Sequence, residues 1–146
     1  MGASFEAVWS RVTSGGDDGL AELHRRLRRE AEIRRLCEAQ QRQRIAPAVR
    51  ETLALLGRHA AGRYRQLLAL HFLCIGGVWK PPEAPEGSLR LPQALCEIYR
   101  MLSEDTGAAA EAESKLGPDA SALLQQMAEE MRADASALRR LAEKLL

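Results

Sequence analysis

Leucine and alanine recur along this 146-residue chain at intervals of three and four, and that spacing limits the possible folds more than any other feature. A helix returns a side chain to the same face about every 3.6 residues, whereas a strand does so every two. Leu20, Leu23, Leu27 and Ala31 form one stripe, which Ile33, Leu36 and Cys37 continue on a slightly rotated face. Val49, Leu53, Leu56 and Ala60 form a second, and Leu91, Leu95, Ile98, Tyr99 and Leu102 a third. Leu124, Met127, Met131, Asp134, Leu138, Leu141 and Leu145 fall on the seam positions of a coiled coil. Because the apolar content comes from Leu and Ala rather than from β-branched and aromatic residues, helix is favoured at nearly every position. The expected fold is all-α, a single domain over residues 1–146 shaped as an elongated helical bundle or an antiparallel helical hairpin with coiled-coil character.

Breaks in the pattern divide the helices. Phe5, Val8, Trp9 and Val12 predict a short opening helix, ended by the loop signal Ser14-Gly15-Gly16-Asp17-Asp18-Gly19, in which Asp17 or Asp18 would cap the next helix. Pro47 either kinks a helix or begins one. Leu67 to Ile75 is nine residues of nearly unbroken apolar character, far short of the roughly 20 that span a bilayer, and reads as a buried helix end stopped by Gly76-Gly77. Residues 76–92, rich in Pro and Gly, are the expected surface loop between the two halves. The acidic, alanine-rich stretch 108–115 either extends the third helix or frays, and Gly117-Pro118 precedes the last. Asp134 interrupts the final seam. A buried carboxylate is costly, so either the helix turns to present Ala135 or this turn lies at an exposed edge.

The formal charge of +1 conceals a division. Residues 22–65 hold twelve Arg against five Glu, a balance of +7, and residues 83–146 hold seven basic against twelve acidic groups, a balance of −5. Such asymmetry points to an anionic partner or to packing of one half on the other. The densest cations are Arg25, Arg26, Arg28, Arg29, Arg34, Arg35, Arg42 and Arg44, candidates for binding an anionic membrane surface. No nucleic-acid partner is expected, since aromatic residues are not interleaved with the arginines. The six apolar seam residues Leu124, Met127, Met131, Leu138, Leu141 and Leu145 are candidates for contact with a helical protein partner or a second copy.

Chemistry is harder to find. His24, His59 and His71 stand apart in sequence, and His71 with Cys74 supplies only two groups where a zinc site needs three or four. No phosphate loop, nucleophile elbow or paired-carboxylate motif is present. The expectation is a non-enzymatic protein with no catalytic, cofactor-binding or metal-ligating residues and no cofactor. An odd set of three dispersed cysteines, the absence of Asn and the lack of a basic start followed by an apolar core predict a cytoplasmic address, peripheral to membranes. Glu6 stands where a myristoylation signal needs Ser or Thr.

The first sixty residues resemble the N-terminal part of an F-BAR domain, the FCH region. Phe5 and Trp9 match its aromatic opening helix, Gly19-Leu20 with Leu23 and Leu27 its long-helix start, and Arg42-Gln43-Arg44 with Leu53 and Leu56 a later element. The chain departs where the family carries Glu and Tyr and this sequence has Ala46-Pro47-Ala48-Val49. What the resemblance implies is self-association through long helices and binding of anionic phospholipid by basic residues on one face, in a membrane-associated adaptor or scaffold of the cytoskeleton. The alternative is a soluble helical interaction module, a coiled-coil subunit with no lipid role.

Overall fold

The computed structural model of the chain describes residues 17–83, 89–104 and 118–145. They form four helices, α1 (Asp17–Gln41), α2 (Pro47–Ile75), α3 (Leu91–Ser103) and α4 (Pro118–Leu145), with no strand among them. The protein is all-α in its described part, as its spacing predicts. The predicted helix at Phe5 to Val12 and the stretch 108–115 lie outside the described residues.

Pro47 begins a helix rather than bending one. Ala46 takes the extended conformation that a following proline imposes (φ −60°, ψ 146°), and Pro47 sits in the first turn, where a missing N–H breaks no bond. Arg50 closes the junction by donating to the carbonyls of Gln41 and Gln43, acceptors that the end of α1 leaves without intrahelical partners. This turn coincides with the departure from the F-BAR pattern. At the far end of α2, Gly76 adopts a left-handed conformation (φ 79°) and its N–H returns to the Phe72 carbonyl at 2.8 Å, which a side chain at that position would disfavour. Helix α3 starts at Leu91, so Leu91 and Pro92 belong to its first turn and the predicted loop is two residues shorter.

α1 and α2 run antiparallel, as three cross-pairs require: Cys37 lies against Gly57, Glu30 meets Arg63, and His24 meets His71. A Cβ on Gly57 would stand 3.3 Å from the Cys37 Cβ, so glycine permits the closest approach of the two helices. The connection after α2 returns along α1. Trp79 stacks on His24 with ring centroids 6.1 Å apart, Pro81 and Pro82 lie beside Arg28 and Arg35, and the Leu89 carbonyl accepts from Gln40 Nε2 at 2.7 Å. Helix α3 therefore starts beside the C-terminal end of α1. It packs on α1 and α4, and α4 packs on α2, so the helices follow one another around the bundle as α1, α2, α4, α3.

The interior is divided. One apolar cluster joins Ile33, Leu36 and Cys37 of α1, Val49 to Ala60 of α2, Ile98, Met101 and Leu102 of α3, and Met131, Leu138 and Leu141 of α4. A second joins Leu23 and Leu27, Leu67 and Cys74, and Ala120, Leu124 and Met127. Glu30 and Arg63 lie at their boundary and Asp134 reaches Arg63 from among the α4 residues of the first, forming a layer of buried charge in which the three are exposed by 1, 2 and 3 % respectively. Both sequence expectations for Asp134 are corrected by this layer. The helix keeps Asp134 inward and does not place it at an exposed edge, because α2 supplies the cation that makes burial tolerable.

Candidate functional site

Of the eight arginines singled out from sequence, two are interior. Arg26 is 1 % exposed and donates to Glu22 Oε1 at 3.0 Å, while Arg29 is 6 % exposed, near Glu30 at 3.6 Å and the Met131 sulfur at 3.8 Å. These two cannot belong to an outward cationic face. They occupy the side of α1 turned toward the other helices, and a periodicity that places Leu23, Leu27 and Glu30 inward carries them inward too. Arg25 and Arg35 are half-buried and bidentate to Glu22 and Glu32, three residues away. Arg34 is exposed and bonded to Glu38, and Arg28, Arg42 and Arg44 are exposed. Much of the α1 charge is therefore answered by carboxylates of α1 itself.

The apolar seam of α4 is mostly inside the bundle. Leu124 and Met127 belong to the second cluster, and Met131, Leu138 and Leu141 to the first, whereas Leu145 is 51 % exposed. Five of the six residues thus contact α1, α2 and α3 of the same chain.

The densest polar constellation of the described residues is assembled from residues far apart in the chain. Arg63 Nε donates to Glu30 Oε2 at 2.8 Å, and its Nη1 donates to Glu130 Oε1 at 2.7 Å and Asp134 Oδ2 at 3.0 Å. Asp134 Oδ1 also bonds to His59 Nδ1 at 2.7 Å. Burial by itself lowers the pKa of Arg63, but the charges and hydrogen bonds of Glu30 and Asp134 more than reverse this and raise it. The ligand atoms of His59, Glu130 and Asp134 come within 4.8 Å of one another, close enough to share a cation. The Arg63 guanidinium already bonds both carboxylates, so the cation of this cage is organic and covalently attached. The constellation draws from α1, α2 and α4, with partners separated by 33 to 75 residues, and no local motif announces it.

A second pairing also escapes the sequence, in which His24 and His71 stand apart. Their Nε2 atoms lie 3.1 Å apart, and His71 Nδ1 lies 2.9 Å from the Gly77 carbonyl. A carbonyl only accepts, so His71 donates through Nδ1 and its Nε2 is left to accept from His24. Burial, then His71, then Arg28 lower the pKa of His24. His71 is held by His24 and Gly77, and Cys74 is a buried thiol whose pKa burial raises. Cys37 is pushed up to about 12, by burial first and then by Asp134, and is inert as a nucleophile near neutrality.

The segment Leu67 to Ile75 is not wholly a buried end. A helix packing on one side cannot hide every apolar residue of so continuous a run, and Phe72 and Leu73 emerge 55 and 54 % exposed, followed by Val78 at 72 %. No described helix is long and apolar enough to cross a membrane. Comparison with protein-family profiles, with curated proteins and with solved structures finds no match.

Proposed function

We propose that the protein is a non-enzymatic helical adaptor or scaffold that associates with anionic phospholipid surfaces, the role implied by its F-BAR resemblance. One observation carries the reading. Among residues 19–75, seven arginines are exposed (Arg28, Arg34, Arg42, Arg44, Arg50, Arg58 and Arg65) against two carboxylates, Glu38 and Glu51. An anionic leaflet contributes about 1 kcal/mol for each basic group near its surface, so any four of these seven brought to one bilayer would give roughly a thousandfold partitioning at physiological salt. Self-association belongs to the same proposal. Helices of 25, 29 and 28 residues are about 37 to 44 Å long, long enough for lengthwise pairing of copies; the α4 seam, covered within the chain, does not supply that contact. The alternative, a soluble coiled-coil subunit, has weaker support because five of its six seam residues are already covered within the chain.

Co-sedimentation with phosphatidylserine-containing vesicles tests the reading. Binding is expected at low salt, with release as salt rises and none to phosphatidylcholine alone. Equal absence of binding to both vesicle types at low salt overturns it. Light scattering coupled to gel filtration tests the self-association: a dimer mass is expected, and a compact monomer removes that part.

A further inference from the structure

From Thr52 to Pro82 the chain contains no Asp or Glu. Within this stretch the charge of Arg63 is answered inside the bundle, while Arg58, Arg65 and Lys80 are exposed. Arg58, Arg65, Phe72 and Leu73 recur at helical spacing on the outward side of α2. That side is cationic along its middle and apolar at its end. Gly76, in its left-handed conformation, turns the chain just beyond Leu73, so exposed Val78 follows the apolar end and Lys80 lies past it.

The turn is held in place. His71 fixes the Gly77 carbonyl, and Trp79 is stacked on His24 and edge-on to Tyr64 at 6.3 Å. Phe72, Leu73 and Val78 are thus presented on a fixed support. Along the middle of α2, from Arg58 to Ala69, a shallow cleft of about 460 Å³ runs between α2 and α4, bordered by Arg58 and Arg65 with Glu130 on its far side. Glu130 is bonded to Arg63, so among the described residues the two outer arginines of the cleft's α2 rim face no carboxylate bonded to them.

We infer that the outer face of α2 is the membrane-docking surface, with Phe72, Leu73 and Val78 entering the interfacial layer of an anionic bilayer and Arg58, Arg65 and Lys80 engaging lipid phosphates. This rests on the proposed lipid association and moves it from the arginines of α1 to α2. The chemistry matches an interfacial helix, in which exposed apolar side chains are flanked by cations long enough to remain in the headgroup layer. The absence of Asp and Glu from residues 52–82, which carry the apolar groups and the cations, fits a continuous anionic plane.

The full chain and three variants with circular-dichroism melts like the parent are to be compared on phosphatidylserine–phosphatidylcholine vesicles. Phe72→Ser with Leu73→Ser is expected to weaken partitioning about tenfold or more while leaving its salt dependence intact. Arg58→Glu with Arg65→Glu is expected to weaken partitioning and flatten the salt dependence. Val78→Trp, an added interfacial anchor, is expected to strengthen it. If the parent binds and the serine pair binds equally well, the assignment of α2 is overturned and lipid association stands. If the parent binds neither vesicle type, both fall. If the serine pair instead converts a dimer to a monomer with lipid binding unchanged, the face belongs to a second copy and the inference is overturned.

Discussion

A guanidinium that is 2 % exposed must have its charge answered inside the fold, and Arg63 meets this requirement with carboxylates from two other helices. Removing it leaves Glu30 and Asp134 buried without that cation. Arg63→Met is therefore expected to destabilise the protein by about 3–5 kcal/mol, read as a lower urea midpoint; a loss under 1 kcal/mol would mean that water reaches the layer. Arg63→Lys should fall between, because one ammonium cannot span the fork that Arg63 presents. The second prediction at this scale concerns pH. His24 has a lowered pKa in the folded protein, so as pH falls below the ordinary value of 6.5 the unfolded chain takes up the proton first. Stability from this group is full above that value and declines below it until folded His24 protonates. In melts between pH 7 and pH 5, the parent should lose more stability than His24→Gln; equal loss in both would remove His24 as the source. Neither behaviour could be read from the sequence. The spacing of Leu23, Leu27, Leu124 and Met127 reveals which sides of α1 and α4 turn inward, but pairing His24 with His71 depends on how α1 and α2 slide against each other.

At the scale of elements, most boundaries were legible because local chemistry determines them. Pro47 marks a helix start through its own ring, and Gly76-Gly77 a stop through freedom from a Cβ. Asp17, Asp18 and Gly19, expected in a loop that caps the next helix, lie within α1, where their turn-forming preference is outweighed by the stripe that follows. Helix α2 begins with a weakness: Ala46 holds the N-cap position with no side-chain bond to the free N–H groups. Ala46→Asp supplies an acceptor and a favourable charge at that end. It should stabilise the protein by about 0.5–2 kcal/mol, measured by thermal melting; no gain would indicate that water already satisfies those N–H groups. The nine-residue apolar run shows where local reading falls short. Composition established that Leu67 to Ile75 is helical, but which of its sides meets α1 and α4 is a property of the assembled bundle, and this left Phe72 and Leu73 outside.

For the molecule as a whole, the all-α class follows from the distribution of leucine, whereas the order of helices around the bundle does not. The return of residues 76–83 along α1 places α3 beside α1, an arrangement set by contacts such as Gln40 with Leu89 and Trp79 with His24. The charged layer at the boundary of the two apolar clusters has a consequence at this scale. Leu-rich helices of similar length can slide past one another by a turn and still bury comparable apolar area, so oil alone leaves several alignments nearly equal in energy. A one-turn shift of α4 that brings Leu138 to the level of Arg63 would carry Asp134 and Glu130 away from that cation. Replacing the layer together, Glu30→Leu with Arg63→Met and Asp134→Leu, should leave the melting temperature unchanged or higher, yet broaden the amide resonances as alignments interconvert. Sharp, singly populated spectra in that variant would refute the idea. In the parent, the layer works as a vernier: a few charges of little net stabilising value make one alignment of the helices the readable one.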